Sequence, residues 1–196
     1  MLAVIDFGNV NYWFESDRQS SDNIALADDE KIVIDLDGLK SFSDLFTDHT
    51  RVYYGHDADN PYSLRFLAAM KGSFGKSRVF TKPIQKVRHH LKAEEIPNNT
   101  RTLFEDSEGI YVQIPKCNFD VEMTVDIIRL MDSYDTLVLY SVDADFVSLC
   151  RYVRKKGKKI ILIKGGHITT SLRDETDKVI NAQSIKRHIA SVRKAL

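Results

Sequence analysis

Residues 137–149, LVLYSVDADFVSL, run apolar and then set two aspartates, Asp143 and Asp145, two positions apart where a buried strand should end. Asp6 closes a second apolar run, LAVID at 2–6, and Asp120 opens the helical pattern DVEMTVDII. Carboxylates at such ends either cap the following helix or hold a cation. Two of them about 4 Å apart repel by roughly 4 kcal/mol at an effective dielectric of 20. Three in one crevice therefore need a shared proton or an ion between them. Oxygen ligands from Asp and Asn suit Mg²⁺ or Mn²⁺, and no Cys/His set here has zinc spacing. A hard ion held this way serves phosphoryl chemistry, activating water and steadying charge at phosphorus. Taken singly, each acid has a blander meaning. Asp145 reads as a cap for FVSLCRYV, Asp120 as a first-turn acid favoured by the helix dipole, and Asp6 alone carries little. Asp126 lies about 240° around the helix from Asp120, so the two cannot point the same way. Arg129, three residues on, offers Asp126 an ion-pair partner.

The elements that must position these acids follow from hydrophobic period and breakers. LAVID (2–6), RVYYG (51–55), SRVFTKPI (77–84), TLVLYS (136–141) and KKIILIKG (158–165) read as strands, with IYVQIP as a shorter one. Leu36, Leu39, Phe42 and Phe46 fall at helical spacing, and NPYSLRFLAAMKG carries an Asn60 cap, Pro61 in the first turn and a closing glycine, Gly72. In the helix that Asp120 opens, Val121, Val125 and Ile128 form one stripe. FVSLCRYVRKKG is a helix closed by Gly157. Residues 17–31 read as a polar insertion, with IALA and KIVI paired as a hairpin across Asp28-Asp29. Residues 88–109 read as a long connection. The tail is expected to be mostly helical, with a helix around 182–196. Strands alternating with helices predict an α/β fold: a central, mostly parallel sheet of about five strands flanked by helices. In such sheets the ligand crevice opens beyond the carboxyl ends where strand order reverses. That is where Asp6 and Asp143 would meet.

A chain of 196 residues fits a single domain over 1–196. Two cysteines, Cys117 and Cys150, build no disulfide framework and suit a reducing, cytoplasmic setting. The N-terminus lacks a signal-peptide pattern, and no apolar run nears the ~20 residues of a membrane span. The formal net charge of zero hides blocks: residues 71–92 hold seven Lys/Arg and no acid, and residues 15–59 hold twelve Asp/Glu against four Lys/Arg. Such blocks make one positive face, unless acidic and basic stretches interleave in space and cancel.

AVIDFGNV, KCNFDVEMTVDII and DTLVLYSVDADFVSLCRYVRKKGKKIILI together resemble the NYN domain family, a branch of the PIN-like metal-dependent nucleases. The most similar branch is the one formerly called domain of unknown function 88. Its pattern is I-D-x-x-N, then K-G-V-D-V-x-L-A-x-D, then S-G-D-S-D-F, and all three blocks recur in order. The closing SLRDETDKVINA resembles its final L-x-x-x-A-D-x-F-I segment. The resemblance implies a PIN-like, Rossmannoid three-layer sandwich. It makes Asp6, Asp120 and Asp143 metal-binding acids, with Asn9 and Asp145 beside them in the catalytic set and Asp126 auxiliary. Cys117-Asn118-Phe119 replaces the G-V before Asp120, Val142 replaces a glycine and Ala144 a serine, and no carboxylate is lost.

The reading is a Mg²⁺- or Mn²⁺-dependent ribonuclease acting on single-stranded or loop RNA. Lys82, Lys86 and Arg88 of the acid-free run, and Arg151, Arg154 and Lys155 of RYVRKKGKK, are expected on the phosphate backbone. His89 and His90 contact RNA, protonate a leaving oxygen or are merely solvated; Tyr12, Trp13 and Phe14 stack on a base or face the core. The alternative is a non-catalytic RNA-binding or protein-interaction module, and a homo-oligomer is compatible with either. A haloacid-dehalogenase-type phosphatase wants a second acid two residues after Asp6, where Gly8 stands.

Overall fold

Strand β1 (Leu2–Asp6) has both faces buried along its apolar length, as an uninterrupted LAVI run requires. The computed structural model describes residues 1–47 and 49–194, with β1 inside the main sheet. In chain order there follow α1 (Phe7–Val10), β2 (Glu30–Ile34), α2 (Leu36–Asp44), β3 (Thr50–His56) and α3 (Pro61–Phe74). Then come β4 (Val79–Pro83), β5 (Gln85–His90), β6 (Phe104–Asp106), β7 (Gly109–Lys116) and α4 (Asp120–Arg129). The chain continues with β8 (Thr136–Tyr140), α5 (Val147–Lys155), β9 (Lys159–Lys164), α6 (Thr170–Asp174), β10 (Lys178–Asn181), α7 (Ala182–Ile189) and β11 (Ala190–Lys194).

Six strands pair in parallel in the order β10-β9-β8-β1-β3-β4. The chain winds from β1 out through β3 and β4, then restarts beside β1 with β8 and moves outward the other way. Strand order therefore reverses between β1 and β8, and the crevice opens there. Side-chain alternation divides the core. Ala3, Ile5, Val138 and Tyr140 face α2, α3 and α7; Leu2, Val4, Leu137 and Leu139 face α4, α5 and α6. The result is the three-layer α/β sandwich expected, with a sixth strand added.

That sixth strand, β10, lies in the tail read as helical. KVIN is too short to show a period of its own, and only β9 alongside makes it a strand. The C-terminal helix stops at Ile189, and the chain goes on as β11, antiparallel to β2 with Ala190 opposite Ile34. The hairpin expected inside the 17–31 insertion is absent among the described residues. IALA contributes one isolated bridge, Gln19 with Ala25, and β2 takes its partner from the far end of the chain. The connection at 88–109 holds the end of β5, all of β6 and the start of β7, which form a three-stranded antiparallel sheet in the order β5-β7-β6, with 91–103 lying outside any strand. Strand β5 is solvated along most of its length, so QKVRHH carries no apolar alternation to betray it.

Two helices also differ in detail. Helix α3 runs past Gly72 to Phe74, and Gly75, with φ +89°, is the residue that ends it. In α4, Val121, Val125 and Ile128 are exposed, Val121 at 73%. Phe119, Met123, Ile127 and Met131 form the competing stripe. It is bulkier and wins the core, at about 2 kcal/mol for each large side chain fully buried. No helix among the described residues is long and apolar enough to cross a membrane.

Candidate metal centre

Asp6 is the last residue of β1 and caps the short α1, its Oδ1 accepting the Asn9 backbone N–H at 3.3 Å. Its Oδ2 accepts from the hydroxyl of buried Ser141, just past β8, at 3.3 Å. The Ser141 bond ties together the two strand ends that flank the reversal. Asp120 begins α4, and Asn118 holds it twice: the Asn118 amide donates to Oδ2 at 2.6 Å, and Asn118 Oδ1 accepts the Asp120 N–H at 2.6 Å. Asp143 follows β8 and caps the turn Ala144–Phe146, with Oδ1 accepting the Asp145 N–H at 2.9 Å.

Asp120, Asp143 and Asp145 each offer a carboxylate oxygen, and all three oxygens lie within 4.8 Å of one another. Exposed acids group without an ion often enough, but here the electrostatics also fit a cation. Burial pushes Asp6 up to about 6, opposed by the Asn9 and Ser141 hydrogen bonds and reinforced by the charges of Asp120 and Asp143. Burial likewise raises Asp120, its Asn118 bond lowers it, and Asp143, Asp145 and Glu122 raise it further. The donors are hard oxygens only, so the set fits Mg²⁺ or Mn²⁺ rather than a soft metal.

The structure brings Asp145 into the tightest set and puts Asp6 beside it, tied to the strand ends. Asp145 is not the cap foreseen: Asp143 caps the turn that leads into α5, and α5 itself begins without a side-chain cap. Asn9 uses its side-chain oxygen on Trp13, accepting the indole N–H at 3.0 Å. Trp13 and Phe14 are core residues, Trp13 stacked near Tyr140, whereas Tyr12 is exposed. Asp126 faces away from the centre into a network of its own, accepting from Arg51 at 2.9 Å and the Tyr53 hydroxyl at 2.6 Å. His90 sits in β5 against Asp106 at 3.0 Å, while His89 is exposed. Two residues went unrecognised in the sequence. Ser141 is the serine that opens the block resembling S-G-D-S-D, and Asn118 stands two residues before a helix, where such side chains reach first-turn N–H groups.

Acidic and basic stretches interleave. Lys82 pairs with Glu122, Lys86 with Asp57 and Asp59, and Arg88 with Asp106. Arg151 and Arg154 both reach Glu175. Of the six cations expected on the phosphate backbone, Lys155 is the one with no acidic partner among the described residues.

A doubly wound sheet with acids gathered where its strand order reverses places the chain among the α/β proteins whose site lies at the carboxyl ends of the strands. The NYN domain profile matches residues 44–185, and the chain belongs to that family, which is in general ribonuclease-like and metal-dependent. The matched span holds Asp120, Asp143 and Asp145; Asp6 and Asn9 precede it. A curated relative, "Low amplitude and bright protein LabA" of Synechococcus elongatus, is 30% identical over 87 residues, 44% of this chain. That match spans 47% of the relative's length, about half. A solved structure, the "protein of unknown function VPA0982" from Vibrio parahaemolyticus, superposes with a TM-score of 0.58 at 17% identity. It covers 92% of this chain and 90% of that one, a likeness of fold.

Proposed function

We propose that the protein is a Mg²⁺- or Mn²⁺-dependent ribonuclease that hydrolyses phosphodiester bonds in single-stranded or loop RNA, acting as one domain in the cytoplasm. The observation that carries this reading is the convergence of the Asp120, Asp143 and Asp145 oxygens within 4.8 Å at the sheet's reversal. Asp120, Asp143 and Asp145 would hold the ion, with Asp6 as the fourth carboxylate of the centre. When bound, the ion supplies activation of water and stabilisation of charge developing at phosphorus. The chain's own residues do the positioning. Asn118 fixes Asp120, Ser141 orients Asp6 across the two strand ends, and the Asp145 N–H holds Asp143. Membership of a ribonuclease-like family supports RNA as the substrate.

The test incubates purified protein with labelled RNAs and DNAs in Mn²⁺, in Mg²⁺ and in chelator. Ion-dependent cleavage of RNA is expected. RNA bound but left intact with either ion would favour the interaction module instead.

A further inference from the structure

The strand register extends the crevice beyond the carboxylates. Ile5 aligns with Tyr140 and Tyr140 with Ile163, so the next residues, Asp6, Ser141 and Lys164, share one level at the carboxyl rim. By alternation they also share a face, the one carrying Leu2, Val4, Ile160 and Leu162. Two strand spacings put the backbone of Lys164 about 10 Å from that of Asp6. Directly beyond lies a hollow of about 350 Å³ lined by Lys164, His167, Ile168, Thr170, Arg173 and Val179, with no acid among them.

The charge there is not cancelled. Arg173 and His167 make no side-chain hydrogen bond or ion pair among the described residues, and Lys164 Nζ donates to a backbone carbonyl, Gly166 O at 2.6 Å. Of the acids close by in sequence, Glu175 is engaged with Arg151 and Arg154, Asp177 with the Ile160 N–H, and the exposed Asp174 makes no ion pair with Arg173 among the described residues. This contrasts with the cations expected from sequence, five of which face carboxylates. The turn is also set from below. A Cβ at Gly165 would stand 2.3 Å from the Trp13 ring, so the loop after β9 rests on the indole that Asn9 anchors.

We infer that Lys164, His167, Thr170 and Arg173 form a phosphate subsite that holds the RNA backbone beside the scissile bond, an inference that rests on the ribonuclease reading. Lysine and arginine supply charge to a phosphodiester, and threonine and histidine supply donors. The contacts give affinity and register along the crevice without base choice.

The test uses the full chain carrying Asp143→Asn, so that RNA is bound without being cut, and follows a labelled single-stranded RNA by anisotropy at several salt concentrations. Adding Lys164→Ala and Arg173→Ala together should weaken binding roughly tenfold or more. It should also flatten the log K against log salt slope by about 1.4, the value for two phosphate contacts on a single strand. The charge-matched control Lys40→Ala with Lys76→Ala should leave both unchanged. Unaltered affinity and slope in the folded Lys164/Arg173 variant would overturn the subsite. Should no version bind RNA, the ribonuclease reading fails, and inorganic phosphate then judges the subsite separately. Saturable shifts of the Gly166 and Thr170 amide resonances, lost in the Lys164/Arg173 variant, would support it, and unmoved resonances would overturn it.

Discussion

The carboxylate of Asp143 accepts the backbone N–H of Asp145 at 2.9 Å, so one candidate ligand fixes the turn that carries the other. Position 143 therefore combines a capping acceptor with a ligand charge, and substitutions separate the two. In chelator, Asp143→Ala should lose about 1 kcal/mol of stability with the cap. Asp143→Asn keeps an acceptor and should stay near the parent. Asp145→Asn, which removes charge and no cap, should match or slightly exceed it. Urea melts of the three variants check this order.

Asp6 carries the pH dependence. Its folded affinity for a proton is raised, from an ordinary 3.8 to about 6, mainly by burial. The folded chain then holds more protons than the unfolded one between about pH 4 and pH 6. The contribution is fully present below that window and is lost as pH rises through it, by up to ~3 kcal/mol. Melts in metal-free buffer should show stability falling across this range, and Asp6→Asn should flatten the fall.

A divalent ion should return that stability at neutral pH. Binding to the folded state alone adds about 2.7 kcal/mol when the free ion stands a hundredfold above its Kd. Calorimetry and melting curves in Mn²⁺ and Mg²⁺ should show the gain, and Asp120→Asn should lose most of it.

Asp126 belongs to the architecture. Its carboxylate is mostly buried and accepts from both Arg51 and Tyr53; burial first, and then this bond to Asp126, push the Tyr53 phenol well above its ordinary range. Asp126→Ala strands two donors and should cost roughly 2–3 kcal/mol. Metal affinity of the folded fraction should be unchanged, which titration at low temperature can measure.

The main sheet and its acids were legible because their signals are local. LAVID and TLVLY are apolar runs ended by polar residues, and capped or glycine-closed helices such as Asn60–Gly75 carry their own punctuation. What stayed hidden depends on distant partners. KIVI reads as a strand, but its partner β11 lies across most of the chain and stays hidden, and β5 is nearly all solvated and shows no strand pattern. The Lys82–Glu122 and Arg88–Asp106 pairs likewise arise only when the chain folds acids onto the basic run. The carboxylates were found by residue type and position, but the closeness of Asp145 to Asp120 depends on how α4 meets the turn after β8.

Cleavage by the Asp143→Asn protein tests the central claim most directly. Asparagine keeps the shape and the capping oxygen of position 143 and withdraws one charge from the ion's ligands. Parent and variant are compared on the same labelled single-stranded RNA, in Mn²⁺ and in chelator, with melting temperatures measured alongside. The expected result is ion-dependent cleavage by the parent and its collapse in a variant that melts at or above the parental temperature in chelator. An Asp143→Asn protein that cuts RNA at the parental rate would contradict the assignment of this crevice as the catalytic metal centre.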